Sequence, residues 1–164
     1  MNEVAVRKET SPAVTTAASQ DFVTVRLAGQ LLGIPVLAVH DVLNPQQITA
    51  IPLAPDYVSG VLNLRGRIVT AINLRRRLGL PPLEADKKSM SVVVEHNEEP
   101  YSLQIDSVGE VLSLDDEVFE KNPVTLDPTW REISRGIYRL EKELLAVVDV
   151  EKLLDFEAAN AKTG

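Results

Sequence analysis

The chain of 164 residues contains no cysteine. That absence removes disulfide frameworks, thiol catalysis and every thiolate metal site, and it fits a reducing compartment. Histidine is almost as scarce, present only as His40 and His96. Aromatic residues make up 4% of the sequence, so a packed core has to be aliphatic. No run of about 18 apolar residues occurs, which leaves no segment able to cross a membrane as a helix. Residues 1–20 lack the apolar stretch of a signal peptide and are rich in Ser, Thr and Ala. They read as a disordered tail on a cytoplasmic protein, and residues 157–164 as a frayed C-terminus. Cations are outnumbered by acids, and the formal charge of −7 argues against a general nucleic-acid binder, whose affinity comes from neutralising phosphates.

The familiar catalytic signatures are missing too. The sequence holds no GxGxxG, GxxxxGK[ST], GxSxG or HExxH pattern, which leaves nucleotide, acyl-transfer and zinc chemistry without support. His40 beside Asp41 imitates a catalytic pair, yet neighbours on one strand point to opposite faces. His96 falls in EHNEEP, a solvated turn by composition. The acidic stretch Leu114 to Lys121 reads as a solvated loop, because it lacks the ligand spacing and glycine of a calcium loop. No cofactor or metal is expected, and the chain is not expected to be an enzyme.

What is present is 45% hydrophobic and 25% charged residues, the profile of a globular domain. Laid against itself, the chain shows an internal repeat. GVLNLRGRIVTAINLRRRL, Gly60 to Leu78, superposes without a gap on GIYRLEKELLAVVDVEKLL, Gly136 to Leu154, at an offset of 76. Upstream, Leu32, Ile34, Val36, Val39, Val42 and Leu43 align with Tyr101, Leu103, Ile105, Val108, Val111 and Leu112 at an offset of 69. The longer connection in the second copy, SLDDEVFEKNPVTLDPTWREIS, absorbs the difference. Residues 21–156 thus read as one domain of two copies, barrel one at about 21–80 and barrel two at about 89–156, with strands able to exchange between them. Units that small bury little alone, so they are expected to share an apolar seam.

Short apolar clusters broken by turn residues every 8 to 12 positions predict a mainly β fold, with each copy a small barrel or sandwich of five strands. The first copy reads as strands at 22–27, 31–35, 36–43, 60–64 and 68–72, the second at 90–95, 101–105, 107–113, 136–140 and 144–148. Asn73 and Asp149 stand where a helix N-cap belongs. A short helix follows each, the first stopped by Gly79 and Pro81, the second running on to the C-terminus. Arg65-Gly66 corresponds to Glu141-Lys142, so the position is a hairpin turn in both copies whatever residues occupy it.

The one concentrated basic feature is Arg65, Arg67, Arg75, Arg76 and Arg77. It is the basis of an alternative reading, a nucleic-acid-binding barrel, which the lack of interleaved aromatics weakens. Arg75 to Arg77 are expected on a solvated helix face. Arg65 differs, since a rigid turn would hold it out to a partner, and arginine is favoured at interface hot spots.

With VSGVLNLRGRIVTAINLRRRLG at Val58 to Gly79, GIPVLAVHDVL at Gly33 to Leu43, IDSVGEVLSL at Ile105 to Leu114 and VDVEKLL at Val148 to Leu154, the chain resembles the CheW family of chemotaxis coupling proteins. The resemblance covers about Asp21 to Phe156. It implies two similar five-stranded SH3-like barrels and a non-catalytic scaffold, monomeric alone and part of large arrays. Such scaffolds bridge the cytoplasmic tip of chemoreceptors to the regulatory domain of the histidine kinase CheA, with no nucleic acid and no direct membrane insertion. It also implies partner contacts at Arg65, Gly66, Leu64, Gly60, Val39, Asp41 and Val42. Asn73 departs from the family's usual aspartate, though it still caps; Leu43 and His40 depart from commoner polar residues, which bears on partner preference.

Overall fold

The computed structural model describes residues 18–155; the two tails expected at 1–20 and 157–164 lie almost wholly outside them. Ten strands form two five-stranded sheets. In chain order they are β1 (Ser19–Leu27), β2 (Gln30–Pro35), β3 (Val39–Leu43), β4 (Val58–Leu64), β5 (Arg67–Asn73), β6 (Met90–His96), β7 (Glu99–Ile105), β8 (Ser107–Asp115), β9 (Ser134–Arg139) and β10 (Leu144–Val148). One sheet runs β8-β1-β2-β10-β9 and the other β3-β6-β7-β5-β4. Each sheet therefore mixes strands from both sequence copies. The chain crosses from the first sheet to the second between β2 and β3, through a 3-10 turn at Val36–Ala38, and returns at Asp106 between β7 and β8. That crossing is why Val36–Ala38 is a turn and not the start of the strand expected at 36–43.

Both sheets are pleated so that alternate residues serve two cores. Val23, Val25, Leu32, Ile34, Ala146 and Val148 of one sheet face Ile72, Val92, Val94, Leu103 and Ile105 of the other across a common seam. The opposite face of the first sheet buries Phe22, Leu31, Leu112, Leu114, Tyr138, Leu145 and Val147, and that of the second buries Leu62, Val69 and Ala71. Among the described residues no ladder joins β8 to β9 or β3 to β4, so each sheet stays open at that gap.

The repeat is visible in backbone bonds. Thr49 exchanges two hydrogen bonds with Val61, both 2.9 Å, and Glu120 exchanges two with Ile137, 2.9 and 2.8 Å. Asn73 N–H donates to the Tyr57 carbonyl at 2.7 Å, and Asp149 N–H to that of Ile133 at 2.8 Å. As expected, Asn73 and Asp149 cap the helices that follow them, α1 (Leu74–Arg77) and α3 (Val150–Leu153), accepting from Arg76 N–H and Lys152 N–H. The end of α1 is a Schellman turn: Leu80 N–H reaches the Arg75 carbonyl and Gly79 N–H that of Arg76, with Gly79 at φ +73°.

Two further expectations are corrected. The last helix stops at Leu153, and Asp155 is already non-helical. The acidic stretch at 114–121 is not a free loop: Leu114 is fully buried in β8 and the Phe119 ring packs 5.3 Å from that of Tyr138. Between them lies a 3-10 turn at Asp116–Val118. The long connection of the second copy also carries α2 (Pro128–Arg131), capped by Asp127, with Pro128 opening it and Trp130 buried in the seam.

The arginines of the basic cluster end in separate places. Arg75 is clasped to Asp106 by Nε and Nη2 at 2.9 and 2.6 Å, and Arg77 is 6% exposed, donating to the carbonyls of Lys152 and Leu153 at the end of α3. The expected solvated face is thus reduced to Arg76, 3.8 Å from Asp56. The error has a simple cause: the seam runs beneath α1, and a four-residue helix there cannot keep three consecutive side chains in water.

Asp106 also accepts the Ala28 N–H at 2.8 Å. Burial alone would raise its carboxyl, but the Arg75 hydrogen bonds, the Ala28 amide and the Arg75 charge outweigh it and hold the group below its ordinary range. A carboxyl that binds its proton more weakly when folded stabilises the fold fully at neutral pH and loses that contribution as the pH falls below about 4. Asp106→Asn is expected to lower stability at pH 7 by about 1–3 kcal/mol. In melts at a series of pH values it should also flatten the acid limb of the stability curve.

Candidate partner-binding site

The β4–β5 connection is a two-residue turn, with Leu64 opposite Arg67 in the ladder. Arg65 at φ +53° and Gly66 at φ +85° give it type I′ geometry, which matches the twist of the strands. The Asn63 side chain accepts the Gly66 N–H at 3.0 Å and locks the turn. In the second copy, β9 and β10 are joined by residues 140–143, closed by the Leu140 N–H to Glu143 carbonyl bond of 2.8 Å, without left-handed residues. A hairpin stands at both places; only the first is built to hold an arginine rigidly outward.

Arg65 reaches across the gap between the two edge strands of its sheet. Its Nη1 lies 2.6 Å from Asp41 Oδ2 on β3, while its side chain stays 74% exposed against 21% for Asp41. The contact is one of charge: Asp41 Oδ2 has no partner in hydrogen-bond geometry, and Oδ1 accepts the N–H of Val42 at 2.9 Å. Arg65 therefore keeps most of its five donors for another molecule.

Beneath this pair is a groove of about 180 Å³ lined by His40, Asp41, Leu64, Arg67, Val69, Val93, Glu95 and Pro100 as well as Arg65. Val69 and Val93 form a buried apolar floor. Glu95 on the far wall is 3.5 Å from His40 Nε2 and 3.6 Å from Arg67 Nη1. A register shift between Val39 and Asp41 brings both His40 and Asp41 to the groove, against the expectation of opposite faces, but His40 pairs with Glu95 and Asp41 with Arg65, so the two do not form a catalytic pair. Among the described residues no cluster of His, Cys, Asp and Glu could hold a metal ion.

Of the seven residues singled out in the sequence, the structure brings Leu64, Arg65 and Asp41 to this groove, with Gly66 in the turn above it. Val42 is 39% exposed beside Asp41, whereas Val39 is half-buried against the seam. Gly60 is elsewhere: it is buried, and an added Cβ would stand 2.1 Å from the Thr49 carbonyl oxygen. Sequence reasoning missed Glu95, Arg67, Val69 and Val93, which reach the groove only through the pairing of β3 with β6 and the closeness of the β4–β5 turn.

Residues 21–158 match the family model described as the CheW-like domain. The chain belongs to that family. It is 32% identical over 138 residues to the chemotaxis protein CheW of Klebsiella aerogenes, covering 84% of this chain and 83% of that one. It is 26% identical over 120 residues to protein PilI of Pseudomonas aeruginosa, 73% of this chain and 67% of that one. Among solved structures it resembles the scaffolding protein TtCheW of Thermoanaerobacter tengcongensis, with a TM-score of 0.74, 28% identity and coverage of 84% and 94% of the two chains. Family membership makes this a CheW-type chemotaxis scaffold without catalytic activity. Nothing in these likenesses supports the nucleic-acid alternative, and the five arginines do not form one patch, since Arg75 is clasped to Asp106 and Arg77 is buried. Among the described residues no helix is long and apolar enough to cross a membrane.

Proposed function

We propose that this chain couples the cytoplasmic tip of chemoreceptors to the regulatory domain of the histidine kinase CheA, at membrane-associated receptor arrays. The observation that carries this reading is the Arg65 guanidinium, held 74% exposed on a locked turn at the rim of an apolar-floored groove. An exposed, pre-positioned arginine beside buried aliphatics is the arrangement of an interface hot spot. Arg65 supplies charge-assisted bonds to a partner carboxylate. Leu64, Val69, Val93 and the exposed edge at Val42 supply apolar contact. Asp41 keeps Arg65 oriented until the partner arrives, Gly66 completes the turn that carries it, and Val39 and Gly60, which lie outside the groove, support strands β3 and β4 behind it. Residues 21–156 act as one binding body, since the seam is built from both copies.

The test is co-sedimentation of the purified chain with receptor cytoplasmic fragments and the kinase from the same organism. The reading requires that the kinase sediment with receptors only when this chain is present. Kinase recovery that is the same without it would rule out the coupling role.

A further inference from the structure

The two crossings between the sheets are equivalent in the repeat and are held in opposite ways. At the offset of 69, residues 36–38 correspond to residues 105–107, so Leu37 stands where the second copy has Asp106. Asp106 is clasped by Arg75 at 2.9 and 2.6 Å and accepts the Ala28 N–H at 2.8 Å. Leu37 is 93% exposed, and no residue of the Val36–Ala38 turn is buried. That turn has no side-chain cap, and one backbone bond, from the Val39 N–H to the Val36 carbonyl, closes it. On either side the chain is already drawn out, with Pro35 (φ −55°, ψ 132°) near polyproline II and Val39 (φ −93°, ψ 123°) extended. Opening three residues therefore joins β2 and β3 into one straight run.

The element before this turn is the β1–β2 hairpin, and its place in the sheet is built by the other sequence copy. Among the described residues, β1 pairs only with β2 and β8, and β2 only with β1 and β10. The ladder from β2 to β10 is short, running from Leu31 to Gly33. Arg26 adds a bidentate pair to Glu143 beside the β9–β10 turn, at 2.8 and 2.7 Å. The β6–β7 hairpin fills the matching place in the second sheet, against β3 and β5, but strands precede and follow it in the chain. The β1–β2 hairpin is joined to the other strands through the Val36–Ala38 turn alone. It can leave its place and enter another molecule without threading the chain through a loop.

We infer that this chain exchanges its β1–β2 hairpin with a second copy of itself, the hairpin of each molecule completing the β8-β1-β2-β10-β9 sheet of the other. Every ladder of the hairpin, the Arg26–Glu143 pair and the hairpin's share of the seam are then remade between molecules. What is lost is the 3-10 turn of each chain and the independent motion of two molecules, so the balance between monomer and dimer follows concentration. The occupant is fixed by the vacated place itself, which buries Phe22, Val25, Leu27, Leu32 and Ile34 of this hairpin in one register. The exchanged dimer carries two copies of the Arg65 groove on one body. The inference goes beyond the coupling role and holds whatever binds at Arg65.

The test uses two variants of the full chain, Arg26→Glu and Glu143→Arg. Each alone sets like charges where the ion pair stood, whereas an exchanged dimer of one with the other joins opposite charges at both places. The variants are refolded from denaturant at high concentration, separately and mixed, and dimer is measured by size exclusion and identified by native mass spectrometry. The mixture is expected to hold at least about tenfold more dimer than either variant alone, all of the excess as heterodimer. Deletion of residues 36–38 removes the turn and should make the chain wholly dimeric. Should that variant fail to fold, the mixture alone decides. The inference is overturned if the mixture gives no more dimer than the separate variants, as a dimer held by a surface contact would, or if the deletion variant folds as a monomer.

Discussion

Gly60→Ala is expected to cost about 3–5 kcal/mol of folding stability, the largest loss for so small a change in this chain. Two independent penalties meet there. Gly60 has φ +147°, which L side chains rarely adopt, and the new Cβ would fall 2.1 Å from the Thr49 carbonyl oxygen and 2.7 Å from its carbon. Thr49 cannot retreat, because both of its backbone bonds go to Val61, the next residue. Gly136, the repeat partner of Gly60, carries only the steric penalty. Its added Cβ would meet the Phe119 ring at 2.2 Å and the Glu120 carbonyl at 2.6 Å, and Phe119 is 36% exposed and able to swing outward. Gly136→Ala is therefore expected to cost less, about 1–3 kcal/mol. Denaturant melts of the two variants check both the size and the order; equal losses would mean that the conformation of Gly60 contributes nothing.

The second large effect is on binding and not on folding. Arg65→Asp should weaken kinase or receptor coupling by about 2–4 kcal/mol, because it removes a hot-spot cation and sets a second carboxylate beside Asp41. The folding cost should stay near about 1 kcal/mol, since an exposed ion pair is worth little and aspartate tolerates the left-handed turn position. Arg65→Lys should fall between, keeping charge but losing the planar fork. Pull-downs alongside melts separate the two effects. A melt that collapses with Arg65→Asp would make Arg65 a structural residue.

The repeat explains why much of this fold was legible. Apolar residues at fixed offsets located the ten strands, the two N-caps and the hairpin, since strand periodicity and cap chemistry are local properties. It also matched Gly60 with Gly136, although the reason, a chain segment crossing over each glycine, appears only in three dimensions. What periodicity cannot supply is which sheet a strand joins. β1 and β2 belong to the first sequence copy but pair in a sheet completed by β8, β9 and β10, an exchange set by long-range pairing. The same limit misplaced Arg75 and Arg77, whose burial depends on Asp106 and the end of α3, far along the chain. At the candidate site, Arg65 stood out because a turn must expose it, whereas Glu95, Val69 and Val93 became part of the groove only through ladder register.

The central claim is that Arg65 is both the corner of a hairpin and a contact for a partner. It is tested most directly by calorimetric titration of the full chain with the kinase regulatory domain of the same organism, wild type against Arg65→Ala, with thermal melts of both. The account predicts binding weakened by about 1–3 kcal/mol with melts that differ by no more than about 1 kcal/mol. Equal affinities for the two proteins, or a loss of affinity that comes with a lost fold, would contradict it.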